Sequence, residues 1–334
     1  MLEIDWDEKT GWANPVIKPY GNLSLSPAAS CFHYGIECFE GMKAYKDKNG
    51  KMLMFRPDCN MERLNNSMKR LCLPGIDSAQ LIECIKQLLK LDESWVPEKD
   101  GYSMYIRPTA IGLAKSLGVA RSTSCKLYVI LSPVGPYYKS GFKPIRLLAN
   151  TKDVRAWPGG VGNSKLGGNY GPTILPATNA NAQGCEQVLW LFGEDHQITE
   201  VGAMNIFFVL KKADGGKELV TAPLTRGDIL PGVTRRSILE LARNWEKKDP
   251  SLSVSERWLT MREIAAAGKD GRLLEAFGAG TAVVIAPVKG IMYDGVEIKV
   301  PTGDEIGPVA KKMWTAVTDI QYGRVPHPTW AVPV

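Results

Sequence analysis

The sequence predicts a mixed α/β (α+β) fold in two domains, and three observations lead to that prediction. The chain has 334 residues, which is long for a single hydrophobic core. Strand-like apolar runs alternate along it with apolar residues at helical spacing. The segment 133–144 holds three prolines and two glycines, a composition typical of a linker. We therefore expect a small N-terminal α/β domain at 1–134, an interdomain loop at 135–146 and a large C-terminal domain at 147–334.

The N-terminal part combines strands with two helices. Met61, Leu64 and Met68 recur at helical spacing, and Pro74 with Gly75 ends that pattern. The predicted elements are a strand at 52–56, a helix at 60–72, a second helix capped by Asp77 or Ser78, and strands at 102–107 and 126–132.

The C-terminal part repeats this mixture. We predict strands at 145–149, 188–192, 205–210 and 282–287, and helices near 173–182, 237–245 and 261–267. Thr302 and Glu305 have the spacing of a capping box, so we expect the last helix to start there. Its apolar face consists of Ile306, Val309, Met313, Val317 and Ile320.

Composition and charge exclude several classes of protein. The formal net charge is +6, but the basic residues form no long run, which favours a solvated surface over a nucleic-acid patch. A mildly positive field also suits anionic small molecules. No apolar run approaches the ~20 residues of a membrane helix. The acidic N-terminal residues 1–8 have no signal or transit character.

The cysteines and histidines suggest neither a disulfide framework nor a metal site. The seven cysteines are odd in number and no pair has Cys-x-x-Cys spacing, so we expect reduced thiols. None of the three histidines lies near a cluster of other ligands. Reduced thiols are typical of an intracellular protein, and we expect the cytoplasm or the mitochondrial matrix.

Lys165 lies in a glycine-rich segment. Six of the thirteen residues at 159–171 are glycine, the residue that permits positive φ or close approach to a ligand. A phosphate-binding loop is one interpretation, but Ser164 and Leu166 around the lysine do not fit a Walker A sequence. A second is a Schiff-base lysine, whose lowered pKa lets it attack an aldehyde cofactor. An exposed lysine in a flexible turn is the third, and the segment alone does not separate them.

Glu200 precedes the apolar run at 205–210. A carboxylate at the mouth of a buried strand is costly unless it is paired. A protonated pyridine nitrogen is a suitable partner, because the carboxylate keeps such a ring cationic and able to accept electrons. The alternative is a glutamate on the surface of an edge strand.

Three segments offer groups that bind phosphate. Arg63 on the predicted helix presents a planar guanidinium. The turn at 232–234 enters a helix whose free N–H groups attract an anion. Residues 278–282 are a second turn of small residues, with the hydroxyl of Thr281. Each signal is weak alone, since an arginine on a helix is usually a solvated surface residue.

Together these motifs resemble the class IV aminotransferase signature. The signature residues are Glu200, Gly202, Asn205, Ile206, Phe207, Leu219, Thr221, Leu230, Gly232, Val233 and Arg235. Three further stretches, 33–44, 56–64 and 162–171, resemble branched-chain amino acid aminotransferases of the eukaryotic type. The similarity runs in the expected order from Trp12 to near Arg324. It implies PLP fold type IV, in which two α/β domains hold pyridoxal 5'-phosphate (PLP) between them.

The resemblance also implies roles for single residues. Lys165 is the Schiff-base lysine and proton shuttle, Glu200 pairs with the pyridine nitrogen, and Tyr170 hydrogen-bonds the phenolic oxygen. The residues implied to hold the phosphate are Arg63, Val233, Thr234 and Thr281. Those implied to shape the substrate site are Phe39, Tyr34, Tyr105, Arg107, Tyr137 and Ala282, with Arg155 lining the cleft. Plain core packing is the alternative for Phe39, Tyr34 and Tyr137.

Two departures from the family pattern concern the pocket wall and redox chemistry. Ala203 stands where many relatives have threonine, so a hydroxyl is lost. Some animal relatives carry Cys-x-x-Cys just after the Gly-Thr turn, whereas this chain has Val283 and Ala286. We therefore expect no thiol switch of that kind.

The implied activity is transfer of the amino group of L-leucine, L-isoleucine and L-valine to 2-oxoglutarate by a PLP ping-pong mechanism, in a homodimer with the active site at the subunit interface. The motif at 39–43 argues against a D-amino-acid aminotransferase or a PLP lyase. A nucleotide-binding protein would need a Walker lysine and an acidic metal pair. A catalytically silent relative is disfavoured because Lys165, Glu200 and Arg63 are all present.

Overall fold

The computed structural model describes residues 1–136 and 142–334. Tyr137, predicted for the substrate site, lies outside these residues. The strands are β1 Leu2–Asp7, β2 Gly11–Trp12, β3 Val16–Ile17, β4 Glu37–Phe39, β5 Met42–Lys46, β6 Met52–Phe55, β7 Ser103–Gly112, β8 Ser124–Val134, β9 Ile145–Asn150, β10 Gln187–Phe192, β11 Gln197–Val201, β12 Met204–Lys211, β13 Lys217–Thr221, β14 Leu252–Glu256, β15 Leu273–Gly280, β16 Val284–Tyr293, β17 Val296–Lys299 and β18 Ala331–Pro333. The helices are α1 Ser30–Tyr34, α2 Pro57–Arg70, α3 Ser78–Leu91, α4 Ile174–Ala182, α5 Val233–Glu246, α6 Met261–Lys269 and α7 Pro308–Gln321.

The first sheet is built from strands of the N-terminal part and ends at the C-terminal strand β18. Its order is β18-β6-β5-β7-β8-β1-β2, with β3 on β1 and β4 on β7. The long antiparallel pair of β7 and β8 runs from Ser103↔Val134 to Gly112↔Cys125. Alternate residues of the first half of β8 are buried, as expected for a sheet with one face on the core.

The second sheet closes on itself. Its order is β11-β10-β9-β16-β15-β12-β13-β14, with β17 on β16, and β11 also pairs with β12. Because β11 has both β10 and β12 as neighbours, six strands form a closed barrel. Ile206, Phe208 and Leu210 of β12 belong to the main hydrophobic core. The alternation of a strand directs Asn205 and Phe207 to the opposite face, and both are buried there.

The described chain packs as two compact units. The first comprises 1–136, 164–168 and 319–334, and the second comprises the described part of 137–163 together with 169–318. The short segment that carries Lys165 therefore packs with the N-terminal strands. The domain limits given by the sequence, 1–134 and 147–334, stay a prediction.

Most predicted helices and strands are confirmed, with shifted ends. α2 starts at Pro57, earlier than predicted, because proline suits the first helical position. Asp77 caps α3 as one of the two candidates, and its carboxylate accepts from the Gln80 N–H at 2.9 Å. α5 begins at Val233 and includes the predicted segment 237–245.

The predicted start of the last helix is wrong. Thr302 and Glu305 lie in a turn, and α7 begins at Pro308. The carboxylate of Glu275 on β15 accepts from the N–H groups of Val309 and Ala310, both at 2.9 Å. A residue distant in sequence thus caps this helix in place of the local capping box.

The second correction concerns residues 278–283. Gly278 and Gly280 were predicted in a turn but lie in β15, while residues 281–283 form the turn and β16 starts only at Val284. The predicted strand at 282–287 therefore begins too early, and Ala282 is exposed. Side-chain-free glycines fit here because Met204 packs against this stretch of β15.

All seven cysteines are free thiols in the structure. Among the described residues, no helix is long and apolar enough to cross a membrane. Within the same ranges, no group of three or more histidine, cysteine, aspartate or glutamate residues is arranged to hold a metal ion.

Candidate active site

The backbone of Lys165 is held on both sides within the first unit. Its N–H donates to the hydroxyl of Ser67 on α2 at 2.8 Å, and its carbonyl accepts from the N–H of Phe39 at 3.1 Å. A Cβ on Gly167 would lie 2.7 Å from an oxygen of Glu37, so a side chain here would have to displace the Glu37 carboxylate. The lysine side chain is half-buried. The segment is therefore fixed by specific contacts rather than being a flexible turn.

Two basic side chains contact the Phe39 ring. The Lys165 Nζ is 4.8 Å from the ring centroid, and the Arg107 guanidinium is also 4.8 Å from it. Arg107 in turn donates to the Tyr105 hydroxyl at 2.9 Å. All four side chains are half-buried. The structure thus brings together four predicted site residues, and Phe39 is not a plain core residue.

Burial shifts the pKa of two groups on the strands that carry Phe39 and Tyr105 or pair with them. Burial lowers the pKa of Lys43, which lies opposite Tyr105 in the sheet, to about 8. Burial raises the pKa of the Cys38 thiol well above its usual range. Cys38 therefore stays protonated, whereas Lys43 is an amine of lowered basicity opposite Tyr105.

Arg63 takes part in a buried polar cluster that the sequence did not indicate. Its guanidinium donates to both carboxylate oxygens of Glu40, at 2.6 and 2.9 Å. The Asn60 amide donates to the same carboxylate at 2.8 Å and to the carbonyl of Gly41 at 3.2 Å. Glu40 is completely buried. We call Glu40, Asn60 and Arg63 the Glu40 cluster.

Tyr34, the last residue of α1, is hydrogen-bonded to the loop that follows β7. It is 37% exposed, and its hydroxyl donates to the carbonyl of Leu117. Leu117 and Val119 are 72% and 80% exposed. This surface of the first unit therefore displays several large apolar side chains to solvent.

Glu200 lines a cavity of about 140 Å³ in the second unit. Tyr170, Arg155 and Ala203, which the sequence also singled out, line the same cavity. Glu200 itself is only 4% exposed, and it lies on β11, one strand of the closed barrel. A buried carboxylate at the wall of a cavity favours a cationic ligand.

Two polar side chains hold the Glu200 carboxylate. One oxygen forms an ion pair with Arg155, and the other accepts from the Asn205 amide at 3.0 Å. Arg155 also donates to the carbonyls of Gly162 and Asp228, at 3.3 and 3.4 Å. We call Glu200, Asn205 and Arg155 the Glu200 cluster.

The sequence predicts an anion site at the start of α5. No side chain caps this helix at Gly232, and Val233 and Thr234 are buried in its first turn. A Cβ on Gly232 would lie 2.0 Å from the Asn205 amide oxygen. Thr281 is half-buried in the turn before β16.

The donor set of these residues fits PLP. Glu200 provides an anion for a ring nitrogen, and the uncapped start of α5 provides N–H groups for a phosphate. Nε of Arg155 is buried without a hydrogen-bond partner in the part of the chain that the structure describes. A buried donor of this kind needs an acceptor, which a polar ligand supplies. Lys165 provides the amine on a fixed backbone.

Comparison with known proteins places the chain in a family. Residues 37–291 match the amino-transferase class IV family. The chain is 53% identical over 335 residues to the mitochondrial branched-chain-amino-acid aminotransferase of Saccharomyces cerevisiae, covering 99% of this chain and 84% of that one. It is 51% identical over 335 residues to the cytosolic enzyme of that name from the same organism, covering 99% and 88%. The chain belongs to the class IV aminotransferase family.

Solved structures share the fold over nearly the whole chain. The branched-chain aminotransferase of the archaeon Thermoproteus uzoniensis, with norvaline, superimposes with a TM-score of 0.76 at 24% identity, covering 99% of this chain and 98% of that one. Another branched-chain amino acid aminotransferase, complexed with N-(5'-phosphopyridoxyl)-L-glutamate, gives a TM-score of 0.75 at 25% identity and covers 98% and 97%. The fold is therefore PLP fold type IV. Relatives include mitochondrial and cytosolic forms.

The sequence missed Glu40, Asn60 and Asn205 as partners of the candidate residues. Asn60 and Arg63 are three residues apart on α2, so the helical period places them on one face. That spacing could have indicated that Asn60 and Arg63 belong to one polar cluster. Asn205 is opposite Glu200 in the β11–β12 pair, and the short turn between them was a second signal.

Proposed function

We propose that this protein is a branched-chain-amino-acid aminotransferase that moves the amino group of L-leucine, L-isoleucine and L-valine to 2-oxoglutarate with PLP as cofactor. One observation carries the proposal: about half of the residues are identical to two enzymes of that name over 99% of the chain. The contacts of Lys165 and Glu200 support it, because each residue has the surroundings that its role requires.

Lys165 and Glu200 have complementary roles in this proposal. PLP, when bound, supplies an electron-accepting ring that stabilises negative charge at the substrate α-carbon. Lys165 would hold the cofactor through Nζ and, once free of it, would take up the proton from the substrate α-carbon. Glu200 keeps the ring nitrogen protonated, and Tyr170, which lines the same cavity, binds the phenolic oxygen.

The phosphate is assigned to Arg63, Val233, Thr234 and Thr281. The uncapped first turn of α5 supports the assignment of Val233 and Thr234, because its N–H groups and helix dipole attract an anion. Arg63 keeps its guanidinium plane fixed through Glu40. A fixed plane loses little entropy when it binds a phosphate.

The substrate site is assigned to Phe39, Tyr34, Tyr105, Arg107, Tyr137 and Ala282. Phe39 and Tyr105 offer an apolar surface for a branched side chain, and Arg107 lies over both rings. The same guanidinium suits the γ-carboxylate of 2-oxoglutarate and glutamate. One site thus accepts the apolar and the acidic substrate in turn.

The protein is also proposed to be a homodimer in the cytoplasm or the mitochondrial matrix. The exposed apolar side chains of Phe32, Leu117 and Val119 support a partner surface on the first unit. Light scattering on the purified protein should give twice the 36.7 kDa chain mass. A monomeric mass would contradict the dimer and leave the activity to be judged separately.

The activity is tested with purified enzyme, L-leucine and 2-oxoglutarate. Glutamate and the branched 2-oxo acid should form in equal amounts, and L-isoleucine and L-valine should also react. D-leucine should give no glutamate. Absence of glutamate from all three L-amino acids would reject the proposed function, and release of pyruvate from serine would favour a lyase instead.

A further inference from the structure

Asn205 lies between the two ends of the proposed cofactor site. It is the second residue of β12 and is buried with 4% exposure. In the barrel it is paired with Glu200 on one side and with Ala279 on the other. Its side chain lies on the face of β12 opposite the main hydrophobic core. A polar side chain buried on a central strand requires hydrogen-bond partners.

The two N–H groups of the Asn205 amide can be assigned to different elements. One donates to the Glu200 carboxylate on β11 at 3.0 Å, and one donates to the carbonyl of Leu230 at 3.0 Å. Only an amide among small neutral side chains carries two donors on one nitrogen. Aspartate has none and serine has one, so neither can make both bonds.

Leu230, whose carbonyl accepts this bond, is two residues before Gly232, the N-cap residue of α5. The backbone of Gly232 also packs directly on Asn205, because a Cβ there would lie 2.0 Å from the Asn205 oxygen. The same side chain therefore fixes the Glu200 carboxylate through its nitrogen and the entry to α5 through two contacts.

We propose that Asn205 is a positioning residue that sets the separation between the Glu200 carboxylate and the first turn of α5. This inference rests on the proposed function. A ring nitrogen and a phosphate that belong to one small, nearly rigid molecule are a fixed distance apart. A site that binds both therefore needs its carboxylate and its N–H groups held at a matching distance, and Asn205 connects the two.

This role predicts a particular loss of affinity when Asn205 is replaced by alanine. Binding of pyridoxamine 5'-phosphate, which uses both ends, should weaken by about 10- to 100-fold, the range found when a group that orients a ligand residue is removed. Binding of inorganic phosphate, which uses only one end, should weaken by less than about threefold. The ratio of the two losses in affinity therefore reports whether Asn205 holds the Glu200 carboxylate and the start of α5 together, and not general damage to the fold.

The experiment measures both dissociation constants on cofactor-free enzyme by calorimetry, for the wild type, Asn205→Ala and a control. Asn65→Ala is the matched control, because the Asn65 amide also bridges backbone carbonyls, those of Met61 and Ile76 at 3.3 and 3.0 Å. It should leave both constants within about twofold of the wild type. Asn205→Ser keeps one donor, so its affinity for pyridoxamine 5'-phosphate should lie between those of the wild type and Asn205→Ala. It replaces Asn205→Ala in the experiment if the alanine variant does not fold.

Equal losses for the two ligands would overturn the inference, because Asn205 would then act only on the start of α5. A loss for pyridoxamine 5'-phosphate no larger than that of Asn65→Ala would also overturn it. If the wild type itself fails to bind pyridoxamine 5'-phosphate, the proposed function is rejected instead, so the two failures are distinguishable.

Discussion

The Glu40 cluster and the Glu200 cluster are built from the same three residue types. Each has a buried glutamate, an arginine that pairs with it, and an asparagine that donates to the carboxylate and to a backbone carbonyl. Each lies within one unit of the chain. A buried carboxylate is costly without such partners, so both clusters solve the same electrostatic problem.

The clusters differ in what surrounds the carboxylate. Glu40 has no exposed surface and receives donors from Arg63, Asn60 and the Gly41 N–H at 3.1 Å. Glu200 lines a cavity of about 140 Å³. The Glu40 cluster holds Arg63 in place, whereas the Glu200 cluster leaves a carboxylate at the cavity wall, where a ligand can bind. We therefore assign Glu40 to structure and Glu200 to chemistry.

The largest predicted effect is on catalysis at the Glu200 cluster. Replacing Glu200 with glutamine should lower kcat on leucine by about 10²- to 10³-fold, because a preorganised charge next to the reacting group is removed. The free energy of unfolding should also fall, because the buried Arg155 loses its carboxylate partner, although glutamine can still accept from Asn205. Steady-state kinetics and urea unfolding measure the two quantities.

Glu275→Gln is the control for that variant. Glu275 is also a buried glutamate of the barrel, 3% exposed, but its carboxylate caps α7. This variant should lose stability and retain kcat within about threefold. If Glu275→Gln loses as much activity as Glu200→Gln, the special role of Glu200 is contradicted.

The next largest predicted effect is on stability, at the Glu40 cluster. Replacing Glu40 with leucine leaves the buried Arg63 charge without this carboxylate and should cost about 3–5 kcal/mol in the free energy of unfolding. Urea titration of the cofactor-free enzyme gives this value. A cost below about 1 kcal/mol would mean that the pair is not a buried structural one.

The double variant Glu40→Leu/Arg63→Leu sharpens the comparison further. Removing both charges should restore most of the lost stability, because a buried ion pair and an apolar pair of similar volume are often equally stable. Its affinity for pyridoxamine 5'-phosphate should stay low, since Arg63 is assigned to the phosphate. Recovery of affinity together with stability would contradict that assignment.

The smallest predicted effect is on substrate preference at the cavity. Ala203 is exposed and lines the wall near Glu200. Ala203→Thr adds a methyl and a hydroxyl, which should change the ratio of kcat/KM for leucine and valine by about 2- to 10-fold. Ala203→Ser, which adds the hydroxyl alone, separates the two contributions. An unchanged ratio in both variants would show that Ala203 does not affect substrate preference.

The helices that the sequence predicted correctly are those whose apolar pattern or cap lies within the neighbouring residues. α2 follows from Met61, Leu64 and Met68 at helical spacing, and Asp77 caps α3 from the adjacent position. The start of α7 was predicted wrongly because its cap, Glu275, is 34 residues away from Val309. A capping rule that considers only one turn of sequence does not include such a partner.

The candidate site shows the same limit. Lys165 and Glu200 were found because their neighbours in sequence carry family motifs, but Glu40 and Asn205 were not found as partners of the candidate residues. Arg63 bonds to Glu40 across 23 positions, and Asn205 bonds to Leu230 across 25. Such contacts follow from strand pairing and helix docking, which composition and periodicity do not specify.

The central claim is that Lys165 is the residue that carries PLP. Borohydride reduction of the purified holoenzyme, followed by peptide mapping, tests it most directly. Lys43 is an internal control, because burial lowers its pKa to about 8 and it is also an amine near Tyr105. We predict one pyridoxyl group per chain, on Lys165 and not on Lys43. A pyridoxyl group on any other residue, or none at all, would contradict the claim.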